Sequence, residues 1–220
     1  MKRIAVMLVL GLAVSAFGCA TTGYQRASQV RSAIDKTRVT TIKAHQDLVA
    51  ALHAVHTLAT KETSDLQPPY QSFATAVKGF EMQVQELAPR GESIQKRGNA
   101  YVAAWQKDLL TFQSPDLRTL SAGRRREVVE SFRKLNSELL VAEASLHPVL
   151  VGLKDMRLYL SLDLTASGVS SVQTQAGQIS TQAVDAGQHL QSLLADLDRV
   201  ATELSTVKPP KDVTVIVPAK

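Results

Sequence analysis

Residues 169–204 read VSSVQTQAGQISTQAVDAGQHLQSLLADLDRVATEL, and their apolar pattern decides the fold. Apolar residues recur at alternating steps of three and four, and no position of this series is polar. The series consists of Val169, Val172, Ala176, Ile179, Ala183, Ala186, Leu190, Leu193, Leu197, Val200 and Leu204. An unbroken series over five heptads is typical of a helix that packs along its whole length against other helices. The segment predicts one long helix with a coiled-coil-like heptad seam.

The preceding segment repeats this pattern across a proline. Its apolar series consists of Val128, Phe132, Leu135, Leu139, Ala142, Leu146, Val149, Leu153, Met156 and Leu160. Pro148 lies inside the series without shifting its register. Because proline removes one backbone hydrogen bond of a helix, we expect Pro148 to kink this helix without ending it.

The second segment of the chain is less regular. It begins after Pro68 and Pro69, which suit the first turn of a helix. Gly91 and Gly98 interrupt its apolar series, and Pro89 stands just before them. We therefore expect a bend or a short break in this helix near residues 88–91.

The first segment, about residues 27–62, has the weakest pattern. Ile34 and Leu48 keep its register, but Arg38 and His45 occupy positions of the same series. This helix is expected to leave its seam incomplete.

Three short polar breaks separate the four segments. They span residues 63–69, 113–121 and about 164–168, and each offers a Ser, Thr or Asp to cap the next helix. Because short connections force consecutive helices to run antiparallel, the pattern predicts an all-α fold. We expect an elongated antiparallel up-down-up-down four-helix bundle over residues 27–207, followed by a flexible basic tail over residues 208–220.

The composition agrees with a helical protein and excludes other classes. Of 220 residues 45% are hydrophobic but only 5% are aromatic, and there are 11 Gly and 8 Pro. These proportions disfavour sandwiches and barrels, which need β-branched and aromatic strands and frequent turns. The chain has one cysteine, so an intrachain disulfide and a cysteine-rich metal site are both excluded.

The first residues have the features of an export signal. Lys2 and Arg3 precede an uncharged apolar run from Ile4 to Phe17. As a helix this run would rise only about 21 Å, short of the ~30 Å hydrocarbon layer, so it is a signal region and not a membrane span.

The only cysteine follows this apolar run directly. Residues 16–19, Ala-Phe-Gly-Cys, resemble the bacterial lipobox, in which the cysteine is lipidated and becomes the mature N-terminus. The resemblance implies a lipoprotein signal peptide over residues 1–18 and a lipidated tether over residues 19–26. Since Ala20 follows Cys19 where an Asp would favour the inner membrane, it also implies the periplasmic face of the outer membrane. The alternative is an ordinary signal peptide cut near Gly18 that leaves a free thiol.

The charge of the chain is mild and disfavours nucleic acid as a partner. The whole chain has 25 basic and 20 acidic residues. Removing Lys2 and Arg3 with the signal leaves 23 basic residues and a net charge of +3. A nucleic-acid-binding protein would need basic residues clustered on a recognisable module, which this sequence lacks.

The stretch from Tyr101 to Leu204 resembles a family of uncharacterised Gram-negative coiled-coil lipoproteins, a domain of unknown function numbered twenty-nine fifty-nine. The residues that carry the resemblance are AYVAAW at 100–105, the AEASLHPVLVGLKDMRLYLSLDLTASGVSSV stretch at 142–172, and the final heptad helix. The resemblance implies a helical architecture and an envelope location, but no activity. Residues 160–164, Leu-Ser-Leu-Asp-Leu, depart from the family, which tends to have a more polar Leu-Lys-His-Asn-Leu there.

Candidate catalytic and metal-binding residues are few. His45, His53 and His56 lie on one side of the first helix, but only His53 and His56 are close enough along it to share an ion, and they would need ligands from another helix. Packing of His45 and His56 in the seam is the simpler interpretation. Asp155 has no His, Ser or Cys at a spacing that would make it a general base. We therefore predict no catalytic residues, no metal, no cofactor and no enzymatic activity.

Gly91 and Gly98 leave two interpretations open. Two missing side chains that face a partner helix could form an apolar ligand pocket. Alternatively, a large residue of the partner helix fills the space, and this is the simpler interpretation.

The ends of the predicted bundle differ in charge. The lipid on Cys19 would place one end next to a membrane, and that end carries Arg118, Arg124, Arg125, Arg126, Lys208 and Lys211. We predict that these residues contact an anionic membrane surface, with a simply solvated arginine run as the alternative. We also expect the run Arg124, Arg125 and Arg126 to lie in the first turn of a helix, where its positive charges would oppose the helix dipole.

These observations lead to one expected function and two alternatives. We expect a non-enzymatic outer-membrane lipoprotein that acts as a helical scaffold or interaction module. Its partners would be the membrane, through the N-terminal lipid, and a protein. The first alternative is an envelope protein that binds a lipid or another apolar ligand. The second is a homo-oligomer that associates through a surplus heptad face.

Overall fold

The computed structural model describes residues 22–60 and 65–206, and this part of the chain is helical throughout with short connections. The helices are α1 (Gly23–Thr60), α2 (Gln67–Asp108), α3 (Pro115–Leu162), α4 (Ala166–Ser171) and α5 (Gln173–Glu203). A single 3-10 turn, Leu109–Thr111, extends the end of α2. At about 1.5 Å per residue the four long helices measure roughly 46 to 72 Å. The predicted all-α fold is confirmed.

The four long helices form a closed antiparallel ring. The helix α1 packs against α2 and α5, and α3 packs against the same two helices. Across the α1–α5 contact, Arg31 donates to the Ser205 hydroxyl at 3.2 Å, and Arg38 pairs with Asp198 at 2.6 Å. Moving seven residues forward along α1, from Arg31 to Arg38, corresponds to moving seven residues back from Ser205 to Asp198, so α1 and α5 run antiparallel. The up-down-up-down helical bundle is confirmed, and both ends of the described chain lie at the same end of the bundle.

The seams of α3 and α5 supply half of the core, as their sequence patterns predict. Leu135, Leu146, Leu153, Leu190 and Leu193 have no exposed surface. Each fully buried side chain of this size contributes roughly 1.5–3 kcal/mol relative to an exposed one.

The core-facing side of α1 combines large apolar residues with small ones and is buried along its length. Alanines and Thr37, Thr40 and Thr41 are buried together with Val30, Ile34, Leu48, Val55 and Leu58, while Arg38 is exposed. The hydroxyls of Thr37 and Thr41 donate to the carbonyls four residues earlier, at 3.0 and 2.9 Å, so they can be buried without loss of hydrogen bonds. The incomplete seam is therefore wrong, because a search for large apolar residues passes over alanine and threonine.

We expected a bend or a short break near residues 88–91; the helix α2 continues through Pro89, so the break is wrong. Pro89 is exposed, and its ring faces solvent instead of a neighbouring helix. Pro148 also lies inside a continuous helix, as predicted. An exposed proline costs a helix one hydrogen bond, and the packing of the opposite face holds the helix together across it.

The final predicted helix is divided in two. The short α4 ends at Ser171, Val172 interrupts with φ −95° and ψ 1°, and α5 begins at Gln173. The Thr165 hydroxyl caps α4 by accepting from the Gly168 N–H at 3.0 Å. A Cβ on Gly168 would collide with the Asp163 carbonyl oxygen, so this tight corner requires glycine.

Candidate functional site

The basic residues predicted to contact a membrane lie at the end of the bundle where α1 begins. Arg26 of α1 pairs with Asp108 at the end of α2, at 3.1 Å, and Arg124 of α3 donates to the Glu203 carbonyl at the end of α5. We call this end the basic end. Cys19 lies outside the described residues; three residues separate it from Gly23 in the sequence, and a chain of this length spans at most about 14 Å.

The arginines at the basic end do not form one face. Arg124 pairs with Glu127 at 2.8 Å, and the half-buried Arg125 donates to the Val102 carbonyl at 3.4 Å. Arg118 donates to the Phe112 carbonyl at 2.6 Å. Successive residues of a helix point about 100° apart, so three arginines in a row spread around α3. Arg118 and Arg126 remain the most available for an outside partner, since both are exposed, whereas Arg125 is half-buried and Arg124 is paired with an acidic residue.

The arginine run is not in the first turn of its helix. The connection before α3 is shorter than the predicted 113–121 break, and α3 begins at Pro115 with Ser114 as its cap. The Ser114 hydroxyl accepts from the Leu117 N–H at 3.3 Å. Arg124 therefore stands nine residues inside the helix, and the argument that it opposes the helix dipole is wrong. Asp116 occupies the first turn, where a negative charge is favourable.

Three exposed leucines accompany these arginines and were not predicted. Leu110 is 74% exposed, Leu120 is 72% exposed, and Leu117 lies next to Arg118 with more than half of its surface free. These leucines belong to no seam, so the heptad pattern does not mark them. The signal in the sequence is the pairing of leucines with arginine in the first two turns of α3. Lys208 and Lys211, also predicted at this end, lie outside the described residues.

The histidines of α1 do not share one environment. His45 is half-buried near Gly187 of α5, whereas His53 and His56 are exposed. The interpretation of His56 as a packed seam residue is therefore wrong. Among the described residues, no group of three or more His, Cys, Asp or Glu side chains is placed to hold a metal ion.

Large residues of α3 fill the space opposite Gly91 and Gly98. A Cβ on Gly98 would lie 3.2 Å from the Phe132 ring, and one on Gly91 would lie 3.5 Å from a Leu139 methyl group. Beside these contacts runs an open groove of about 260 Å³ between α2 and α3. These contacts agree with the simpler of the two interpretations, in which large residues of the partner helix fill the space. The open groove beside them is the part of the structure that corresponds to the alternative, an apolar ligand pocket.

A carboxylate with a perturbed pKa lies beside this groove. A Glu143 carboxylate oxygen is 3.9 Å from the position of a Gly91 Cβ. Burial raises the pKa of Glu143, and the nearby charge of Glu92 raises it further. On the same pair of helices, the hydrogen bond from Lys154 lowers the pKa of Glu81.

A buried polar cluster joins α3 and α5 near the basic end. Asp196 accepts from Lys134 at 3.1 Å and from Arg199 at 3.2 Å, and Arg199 also bonds Ser131 and Glu203. Asp196 is almost fully buried, so this cluster holds α3 and α5 in one register. The Asp155 carboxylate, considered above as a general base, is exposed on the outer side of α3.

Comparisons with known proteins add a family and no activity. None of the described helices is long and apolar enough to cross a membrane. No curated protein and no solved structure matches the chain. A family model described as "Protein of unknown function (DUF2959)" matches residues 18–204, which include every helix of the bundle. The chain belongs to this family of uncharacterised proteins.

Proposed function

We propose that this protein is a non-enzymatic lipoprotein of the outer membrane that holds a rigid helical bundle on the periplasmic face of that membrane. The lipid on Cys19 attaches the basic end, and the bundle acts as a scaffold or interaction module. The sequence before α1 supplies the attachment, and the closed ring of helices supplies the rigid body.

The observation that carries the proposal is the start of α1, at the fourth residue after Cys19 in the sequence. Because α1 begins at Gly23, a lipid on Cys19 would hold the basic end within one short tether of the membrane surface. The same end presents Arg118 and Arg126 beside the exposed Leu117 and Leu120. Basic and apolar side chains together are the combination that a lipid surface attracts.

The test is the substitution Cys19→Ser in the cell that makes the protein. We expect the precursor to remain unprocessed or to be released from membranes, since the Cys19 thiol carries the lipid and the signal peptide is cut at the peptide bond before this residue. Fractionation of membranes followed by mass spectrometry of the N-terminal peptide measures both outcomes. A mutant that still fractionates fully with the outer membrane would exclude the lipid anchor.

Binding of an apolar ligand is a second candidate, which the groove beside Gly91 and Gly98 favours. Its volume of about 260 Å³ is below the roughly 300–1,000 Å³ of typical ligand sites, and the groove is open to solvent. Native mass spectrometry of the protein purified from its own membrane tests this candidate. Co-purifying lipid that disappears with Gly98→Leu, but not with Gly177→Leu on α5, would support it.

A further inference from the structure

The outer face of α3 carries a second apolar stripe, opposite the one in the core. We call it the outer stripe, and its members are Leu140, Ala144, His147, Val151, Asp155, Leu158 and Leu162, all of them exposed. At about 100° per residue they fall within an arc of roughly 80°, on the side of the helix away from Leu146 and Leu153. Leu158 is 62% exposed and Leu162 is 82% exposed. Single exposed leucines are ordinary, but a stripe in which five of seven exposed residues are apolar marks an interaction surface.

The spacing of the residues in the outer stripe is symmetrical about its centre. Starting at Leu140, the steps between its members are four, three, four, four, three and four residues, with Val151 in the middle. The stripe therefore repeats after eleven residues, a period that favours a slight right-handed supercoil.

We propose that a second copy of this chain docks on the outer stripe, antiparallel, with a two-fold axis at Val151. This alignment places Leu140 against Leu162, Ala144 against Leu158, and Val151 against itself. It also places His147 of each copy against Asp155 of the other. The contact is isologous, as expected for a homodimer with closed symmetry.

Complementary hydrogen bonding favours this occupant and this direction, because an imidazole N–H of His147 can donate to the Asp155 carboxylate. His147 and Asp155 are the two ionisable members of the outer stripe, and neither side chain makes a hydrogen bond or an ion pair with another described residue. The antiparallel alignment pairs them twice, on either side of the axis. A parallel alignment in register would instead place Asp155 against Asp155, and like charges brought together oppose association.

The size of the outer stripe predicts a weak dimer. Its 23 residues from Leu140 to Leu162 rise about 33 Å, and a helix is roughly 10 Å wide. The resulting contact is smaller than the roughly 800 Å² per partner of a standard stable interface. We therefore expect the dimer to form only at micromolar protein concentration or above, because interfaces below the standard size are usually weak and transient.

The alignment also sets the shape of the dimer. Pro115, at the basic end, lies 36 residues from Val151, so the two copies overlap only through the halves far from that end. The two Pro115 residues would stand about 110 Å apart, compared with about 72 Å for the full length of α3 in one copy. X-ray scattering should therefore show a longest dimension that increases by about half when the dimer forms.

The first experiment measures association across a concentration series. The sample is residues 19–220 with Cys19→Ser, which retains every residue that the structure describes. Sedimentation equilibrium should show a monomer–dimer equilibrium that Val151→Glu weakens at least tenfold. The control Val49→Glu places the same charge on α1, at a residue 52% exposed compared with 43% for Val151, and should leave the equilibrium unchanged. A sample that stays monomeric, or a Val151→Glu variant that dimerises like its parent, would overturn the proposal.

A charge exchange tests the predicted pairs without changing the apolar residues. His147→Asp places two carboxylates together at both ends of the contact and should weaken the dimer severalfold. Adding Asp155→His to the same chain restores opposite partners and should restore the affinity. Both positions are exposed, so the helix tolerates either residue. Failure of the double variant to recover would exclude this register.

Cysteine substitutions distinguish the two directions. In the same Cys19→Ser background, one chain carries Leu140→Cys and another carries Leu162→Cys. Each chain is oxidised alone, and an equal mixture of the two reduced chains is oxidised in parallel. A disulfide requires Cα atoms about 4.4–6.8 Å apart, so only the mixed sample should cross-link in the antiparallel dimer. Cross-linking of Leu140→Cys chains with one another would show a parallel dimer and overturn the proposal.

Discussion

At the scale of single residues, Glu143 and Glu81 are titrating groups whose environments shift their pKa in opposite directions. Burial raises the pKa of Glu143, so the folded chain holds this proton more tightly than the unfolded chain does. Its contribution to stability is therefore lost as the pH rises from the ordinary value through the raised pKa. The pKa of Glu81 is lowered by Lys154, so its contribution is present above the ordinary value and is lost as the pH falls through the lowered pKa.

We predict that Glu143→Gln stabilises the protein at pH 7 and has much less effect at pH 4, where the carboxyl group is largely protonated in both states. Urea unfolding at the two pH values measures the difference. Glu81→Gln is the matched control on the opposite helix and should destabilise at pH 7, with a smaller effect in acid. Equal effects of both variants at pH 7 would show that the shifts do not have these causes.

Asp196 shows what the sequence could not reveal about single residues. At 100° per residue it lies about 70° from the centre of the seam around Leu197, whereas the exposed Asp198 lies about 130° from it. The pattern therefore places Asp196 at the edge of the seam, but it does not show whether the side chain is buried. Only the approach of α3 buries it and supplies Lys134. We predict that Asp196→Ala lowers the free energy of unfolding by about 1–3 kcal/mol, because it leaves the Arg199 guanidinium without its buried partner. Asp198→Ala, at an exposed ion pair, should cost no more than about 1 kcal/mol, measured by the same urea titration.

At the scale of the elements, Gly152 sets how closely α3 and α5 approach. A Cβ there would lie 2.8 Å from a side-chain carbon of Ile179. We predict that Gly152→Ala destabilises the protein by about 1–3 kcal/mol through overpacking, partly offset by the better helix propensity of alanine. Gly177→Ala is the control, since no atom lies within 4 Å of its Cβ position. It should stabilise the protein by up to about 1 kcal/mol, and thermal unfolding of the two variants should shift in opposite directions.

The helices themselves were largely predictable from the sequence, and their ends were not. A seam of large apolar residues identifies α3 and α5 because burial follows directly from the period of the helix. The interruption at Val172 was missed, since its apolar side chain continues the series while its backbone departs from it. A bend or short break near Pro89 was expected because proline removes a helix hydrogen bond. The packing of α2 on its neighbours outweighs this local cost and keeps the helix unbroken.

At the scale of the whole molecule, the basic end should bind an anionic surface weakly. Residues 19–220 with Cys19→Ser are expected to bind vesicles rich in phosphatidylglycerol at low salt and to leave them at high salt. Each basic residue near such a surface contributes about 1 kcal/mol, so Arg118→Gln with Arg126→Gln should reduce binding severalfold. Lys43→Gln with Lys78→Gln removes the same charge away from the basic end and is the control. Equal loss in both variants would mean that net charge, and not this end, governs binding.

The location of this site could be predicted only in part. The end-to-end charge difference follows from topology, since an even number of long helices returns the start of α3 and the end of α5 to the start of α1. The spread of Arg124 and Arg125 around α3 depends on where the helix begins, and Leu110 and Leu120 became candidates only once their exposure was known.

The shared position of the two ends of the described chain determines how the bundle responds to force. Tension applied between Thr22 and Thr206 would open the α1–α5 contact like a zipper, beginning at Arg31 and Ser205 and reaching Arg38 and Asp198 next. Tension applied between the basic end and the opposite end would instead shear all the helices lengthwise, so that every layer of the core resists at once. A bundle held by its first residues and pulled at its far end is therefore in its mechanically strong orientation.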